Sequence, residues 1–532
     1  MQTDCTYLPY SSTGYFSTIV SDYIGGDKVL QPFYDWPANI SGAKAAISKR
    51  KQFATGRKLL TDALRQQYSN TQLAGRQQQN IEALSNENTF TVCTAHQPNI
   101  FTGPLYFIYK IIHAIKLAEV LSAEIKDALF VPVYYMGSED ADLEELNHIY
   151  IDGVKYEWKT NQKGAVGRMK VDKALLQLID AFSGQLLVHE HGNEVVELMK
   201  RCYVPGSTIE QATFKLVNEL FAGYGLLVLL PDNRLLKKAF APVIEKELLH
   251  QFSHKEVAAT VSAFPSKYKV QAAGRQLNLF YLKDDMRERI EFVNGEWVIV
   301  NTDLKFSQKE ILEELCQYPE RFSPNVILRP VFQETILPNI AFIGGGGEIA
   351  YWLELKKVFE TAGVPYPMLV VRNSFLLVDE RGNQLQGKLN LSTEDLFKTE
   401  ADVMNAIVKK ESSNQLGLEK QKQLLAELYN QLKSVAGNVD ATLQPHTEAL
   451  HKKALGKIEA LEKKILKAEK KKFEAQHRQL HKLKQRLFPN NNLQERVENF
   501  MLYYAKEGKS FLQAIAENSL PLEQEFAIIG IF

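Results

Sequence analysis

Cysteine is scarce in this chain: four in 532 residues, far apart and in no CxxC pair. Cys5, Cys93, Cys202 and Cys316 therefore offer neither a disulfide framework nor the ligand spacing of a zinc site, and no metal centre is expected. No apolar run approaches eighteen residues, so no membrane-spanning helix is expected. The opening residues, MQTDCTYLPYSS, lack the basic start and apolar stretch of a secretory signal. A cytoplasmic protein is the plain expectation. Net charge is absent as well, with 63 basic residues against 63 acidic ones. The balance does not hold locally. Between His451 and Arg486, thirteen Lys/Arg stand against four Glu, a net +9 on an otherwise mildly acidic chain. Such an arm could follow nucleic-acid phosphates or be a solvated helical face. The second reading is preferred, and nucleic acid is not an expected partner.

What is present points to an α/β fold. At this length the chain should divide into two or three structural units. TFTVCT (89–94), ALFVPVYYM (128–136), GLLVLLPD (225–232) and PMLVVRNS (367–374) are short β-rich runs separated by helical stretches. That pattern predicts a parallel sheet wound with helices, a Rossmann-like core. Residues about 151–205 and 270–300 read as insertions. In the second, Asn294-Gly295 between apolar strands predicts a type I′ hairpin. After about residue 390 the texture is helical. Leu418, Leu425, Leu428, Leu432 and Val435 fall at heptad spacing, and Gly437-Asn438 predicts a break. A second helix carries Ile458, Leu461, Ile465 and Ala468 in one register, with Leu480, Leu483 and Leu487 shifted by one residue. The expected organisation is a core over 1–390 and a coiled-coil domain over 391–532, whose tail packs back on the core. The hairpin is expected to pack on a partner chain.

Three stretches could carry chemistry, and each falls where a strand should end, the place where open α/β sheets bind ligands. In TAHQPNIFTGPLYFIYK, His96 and Gln97 offer hydrogen-bonding groups, and Thr102-Gly103-Pro104 turns into a helix. Tyr106 and Lys110 lie one helical turn apart on one face. The same turn would also serve as a plain strand-to-helix connection with a capping threonine. In GSEDADLEELNH, Glu139, Asp140 and Asp142 crowd a strand end, where they could bind an amine, a sugar hydroxyl or Mg²⁺, or simply favour a helix N-terminus. Asn147 and His148 follow as weaker candidates. In LRPVFQETILPNIAFIGGGGEIAYW, Gly344, Gly345, Gly346 and Gly347 precede a helix and Glu348, forming a nest of N–H groups suited to an anion or merely a tight turn. Arg329, Gln333 and Glu334 lie just upstream. The run is neither a Walker loop nor GxGxxG.

Taken in order, these stretches and the tail LFPNNNLQER resemble the bacillithiol-biosynthesis cysteine-adding family, BshC, over nearly the whole chain. The family's first motif usually reads Gly-Gln-Gln where this chain has Ala95-His96-Gln97, and its acidic motif carries a histidine where Ala141 stands. The resemblance implies a Rossmann core related to class I aminoacyl-tRNA synthetases, connective-peptide insertions and a dimerising C-terminal coiled coil. It also implies a ligase that joins cysteine to glucosaminyl malate as the last step of bacillithiol synthesis. Amide formation in water is uphill, so the cysteine carboxylate needs activation, and ATP is the candidate nucleotide. On this reading Lys110, Arg329 and Arg372, with Ser374 beside it, surround anionic groups. Gly103 and Gly344 to Gly347 supply backbone donors. Glu139 or Asp140 holds the amine, and one of them takes its proton.

Overall fold

The computed structural model describes residues 3–272, 274–414 and 416–531. The chain forms two compact units, one made of Met1–Leu377 with Asn492–Phe532 and the other of Val378–Asn491.

The first unit is built on five strands: β1 (Thr89–His96), β2 (Leu129–Met136), β3 (Leu227–Leu229), β4 (Asn339–Gly344) and β5 (Met368–Val371). Their order across the sheet is β5–β4–β1–β2–β3, and every pairing is parallel. This is the doubly wound arrangement the apolar runs predict. β1 and β4 are buried along nearly their whole length, so both faces must be covered. Helix α1 (Tyr106–Glu124) links β1 to β2 and covers one face. Its Ala114, Leu117 and Leu121 pack on Phe90, Val92, Ile340, Ile343 and Val370. Each of the larger side chains contributes about 1.5–3 kcal/mol by leaving water. Helix α2 (Arg234–His250) follows β3, α3 (Arg329–Ile336) precedes β4, and α4 (Gly346–Leu353) follows it. The chain leaves β1 toward β2 on one side while β4 lies on the other. That reversal of strand order opens a crevice beyond the carboxyl ends of β1 and β4.

The region read as the second insertion supplies three strands of an antiparallel five-stranded sheet, which Lys305–Phe306 and Phe322–Pro324 complete beyond it. Its Met286–Val293 and Glu296–Ile299 strands are joined by Asn294 (φ 53°) and Gly295 (φ 88°), the two positive φ values of a type I′ turn. Two strands, His148–Ile151 and Val154–Glu157, open the first insertion, and two helices, Lys173–Leu186 and Gly192–Cys202, follow.

The second unit is helical. Helices Glu419–Val439 and Leu443–Lys470 run antiparallel, as Lys422–Glu462, Tyr429–His451 and Lys433–Glu448 contacts require. The expected break at Gly437-Asn438 is not there: the helix continues to Val439 and the turn falls at Asp440–Thr442. A Cβ at Gly437 would lie 2.2 Å from Gln444 Nε2, the movable end of a flexible side chain, and the glycine is carried within the helix. The one-residue register shift has a structural counterpart, a 3-10 turn at Lys471–Phe473 between Leu443–Lys470 and Glu474–Leu487. Leu428, Leu432 and Val435 do not close the hairpin seam; they stay 45–63% exposed. Among the described residues, no helix is long and apolar enough to cross a membrane.

Candidate active site

A cavity of about 480 Å³ lies in the crevice. β1 ends on its floor with Ala95 and His96, followed by Gln97; the turn after β2 adds Gly137 to Asp140. The start of α4 adds Gly345 to Glu348, α1 adds Tyr106 and Lys110, and Arg329 and Arg372 arrive from the starts of α3 and the end of β5. Three stretches separated by up to 250 residues in sequence thus share one wall, because parallel strands deliver their carboxyl ends to the same edge.

The four glycines have different reasons. Gly344 ends β4, and a Cβ on it would sit 2.8 Å from the Phe342 ring; a Cβ on Gly346 would sit 2.8 Å from Val20. At Gly347 a Cβ would meet nothing within 4 Å. The first two are packing glycines, and Gly347 leaves open space beside the cavity. The Gly345 N–H donates to Glu348 Oε2 at 2.9 Å, so that donor is already used.

The cations divide into paired and unpaired. Lys110 is buried, donates to the Ala95 carbonyl at 2.8 Å and pairs with Glu348; burial holds its ammonium below the ordinary value despite that carboxylate. Arg372 makes two bonds to Glu495, at 3.0 and 2.7 Å, and a third to Ser374 Oγ at 3.0 Å. Burial works against its charge, but Glu495 outweighs that and raises it. Arg329 is different. Its partners are neutral: Gln333 Oε1 at 3.1 Å and the Tyr351 hydroxyl at 3.0 Å. It pairs with no carboxylate among the described residues. Burial opposes its charge, while Tyr351, Tyr135 and Glu348 restore it. A half-buried guanidinium with neutral hydrogen-bond partners is poised for an anion from outside.

The acids also divide. Glu139 is buried, and its carboxylate is taken by Lys237 of α2, whose ammonium also donates to the Phe322 carbonyl at 2.7 Å. Burial pushes Glu139 up, against the pull of Lys237. Asp140 accepts from Gln97 Nε2 at 3.3 Å and from the Asp142 N–H at 3.1 Å, and stays partly open to the cavity. Burial, with Lys110 and Arg372 nearby, holds the His96 imidazole well below its ordinary value. His96 is therefore neutral, and its Nε2 has no partner among the described residues.

The remaining sequence candidates lie outside the cavity lining. Glu334 forms a buried ion pair with Arg50 at 2.7 Å and accepts from Asn339 and Gln333; it anchors β4. Gln333 acts through Arg329. Ser374 belongs to the Arg372–Glu495 cluster. Thr102 and Gly103 form a turn beneath the site, Asn147 ends a short helix, and His148 opens a strand with its ring toward Tyr150. Two lining arginines carried no sequence signal. Arg287 sits in the antiparallel sheet, stacked 3.9 Å over Phe280 and donating to Ser323 Oγ; Arg496 comes from the C-terminal tail. Burial lowers both. Their only sequence traces are the RER of strand 286–293 and the LQER of the tail.

Behind Ser138 and Glu139, burial and the neighbouring Asp232 push the Glu210 carboxyl up to about 8. The folded state keeps this proton where the unfolded chain has released it, so Glu210 costs stability as pH rises from its ordinary value toward about 8. Glu210→Gln should therefore melt above wild type near pH 9, with the difference vanishing near pH 4 to 5, as thermal unfolding at the two pH values would show.

Two family models span the chain. "Bacillithiol biosynthesis BshC, N-terminal Rossmann-like domain" matches residues 1–373, and "Bacillithiol biosynthesis BshC, C-terminal coiled-coil domain" matches residues 375–531. A Flavobacterium johnsoniae protein named "Putative cysteine ligase BshC" is 40% identical over 533 residues, covering 100% of both chains. One of the same name from Flavobacterium psychrophilum is 40% identical over 532 residues, 99% of each chain. Among solved structures, that of a "putative arginyl t-RNA synthetase" from Campylobacter jejuni covers 80% of this chain and 98% of its own at 10% identity and a TM-score of 0.24, too low to add to the strand order above.

Proposed function

This chain belongs to the bacillithiol-biosynthesis BshC family, and on that premise we propose that it is a ligase joining cysteine to glucosaminyl malate to give bacillithiol. The observation that carries the reading is Arg329, a half-buried cation without an ion-pair partner among the described residues, in the same cavity as the partly open Asp140. One ligand group must be anionic and another must be an amine or hydroxyl, which is the pairing glucosaminyl malate offers.

The bond to be made links the cysteine carboxyl carbon to the glucosamine nitrogen. ATP would supply the activation of that carboxyl group, whose displaced oxygen would leave with AMP or phosphate as the C–N bond forms, and the donor set suits a phosphate: open space at Gly347 in the cavity that Arg329 also lines. Arg329, with Arg287 and Arg496 on the same cavity, binds anionic groups, whether phosphate or malate carboxylate. Asp140 accepts a hydrogen bond from the attacking amine and takes its proton as the amide forms. Glu139 is committed to Lys237 and fixes the turn that carries Asp140. Lys110 ties Glu348 to the end of β1 and keeps the glycine run in register with it. Catalysis of this kind rests on orientation and charge.

A second copy of the chain is the natural cover for Leu428, Leu432 and Val435, whose exposure supports a dimer through the helical hairpin.

The assay is direct. Purified protein is mixed with ATP, cysteine and glucosaminyl malate, and product is followed by mass. Bacillithiol should form, and Lys110→Ala should lower its rate by about 10²-fold, the scale of losing one organising charge. Wild type making no more product than Lys110→Ala would overturn the ligase reading.

A further inference from the structure

The turn between β1 and α1 is strained. Phe101 (φ 50°, ψ 34°) and Thr102 (φ 71°) both occupy the left-handed region, and Gly103 follows at φ 66°, ψ −143°. A bulky aromatic and a β-branched residue rarely adopt this backbone, and two in succession need outside support. Thr102 gives none, since its Oγ1 has no hydrogen-bond partner among the described residues. Part of the support is Tyr203, whose hydroxyl accepts the Phe101 N–H at 2.6 Å, and the rest comes from the returning C-terminal tail. Asn499 Nδ2 donates to the Phe101 carbonyl at 2.9 Å and to the Gly103 carbonyl at 2.6 Å. One residue earlier, the Glu498 carbonyl accepts the Leu105 N–H at 2.8 Å. Asn499 is itself fixed: it is fully buried, its Oδ1 accepts from the Met501 N–H at 3.0 Å, and its own N–H donates to the Tyr150 carbonyl at 2.8 Å. Directly after the turn, α1 presents Tyr106 and Lys110 to the cavity.

We propose that Asn499 is a positioning residue for the reaction: its two bonds hold the strained 101–103 turn and so set where α1 delivers Tyr106 and Lys110. The inference rests on reading the cavity as the ligase site. The tail then does two things at once, since Arg496 lines the cavity three residues before Asn499 anchors the turn beneath it.

The test is a cycle of Asn499→Ala, Thr102→Gly and the double variant, read by kcat, KM and amide hydrogen exchange over residues 100–110. Glycine adopts the Thr102 backbone freely, so it should relieve one of the two strained positions and lessen the need for the anchor. Asn499→Ala should lower kcat at least about tenfold with KM changed less than about threefold, and speed exchange over 100–110. The double variant should return to within about threefold of Thr102→Gly alone in kcat, and exchange should slow again. A purely structural Asn499 would lower the melting temperature and leave kcat unchanged below it; that result, or a double variant no better than Asn499→Ala, overturns the proposal. If Asn499→Ala does not fold, the double variant decides: folded and active supports the proposal, unfolded overturns it. Wild type without product, but with exchange following the cycle as expected, sinks the ligase reading and leaves the anchoring role standing.

Discussion

Arg329→Gln should lower kcat/KM for bacillithiol formation by about 10³-fold while leaving the protein as stable as wild type or more so. The free-energy scale is about 4 kcal/mol, at 1.4 kcal/mol per factor of ten, reasonable for a charge-assisted anion contact made in a dry site. The unusual part is the stability. Arg329 is half-buried, with Gln333 and the Tyr351 hydroxyl as its hydrogen-bond partners and the Tyr135 ring 5.6 Å away. Without a ligand its charge has no ion-pair partner and leans only on Tyr351, Tyr135 and the nearby Glu348, so removing it should cost little stability. Glutamine keeps hydrogen-bonding capacity and discards the charge. Steady-state kinetics beside thermal unfolding would check both halves. A variant that loses activity and stability together would mean that Arg329 holds the fold rather than a ligand.

Glu495→Gln should do the reverse, destabilising the first unit by about 3–5 kcal/mol, because breaking a buried ion pair strands the remaining charge. Arg372 is the partner left behind, and Glu495 is fully buried. The carboxylate also accepts from Ser374 Oγ at 3.1 Å and from the Phe375 N–H at 3.2 Å, so the change disturbs the chain as it leaves β5. Denaturant unfolding should show an earlier transition. Replacing both partners, as in Arg372→Met with Glu495→Leu, should recover most of the stability, since apolar pairs of similar volume often match a buried ion pair. It should not recover activity, because Arg372 borders the cavity over the Tyr106 ring at 5.1 Å. Two arginines in one site thus carry opposite signatures, decided by the carboxylate partner that Arg372 has and Arg329 lacks.

Much of this was legible in the sequence, for reasons of pattern. Strands buried on both faces are rich in apolar and β-branched residues, so β1, β2 and β5 announce themselves, and their carboxyl ends carry His96, Asp140 and Arg372 into one crevice. The glycine run is visible because two packing glycines and an open one fall together. What the sequence could not carry is pairing. Lys110, Glu139 and Glu334 read as free functional groups, yet each is committed to a partner far away in the chain: Glu348, Lys237 and Arg50. Arg287 and Arg496 fail in the opposite sense. One lies in an alternating strand and the other in a tail, and only the fold brings them to the cavity. Gly437 shows the same limit at the level of a helix: its cost of about 1 kcal/mol does not end a helix held by ion pairs across the antiparallel hairpin.

The central claim is that the crevice beside β1 and β4 binds glucosaminyl malate through Arg329. A co-crystal with that ligand tests it most directly. The account predicts an anionic group of the ligand on the Arg329 guanidinium and its amine within hydrogen-bond reach of Asp140. A ligand seated elsewhere, with Arg329 still held only by Gln333 and Tyr351, would contradict it.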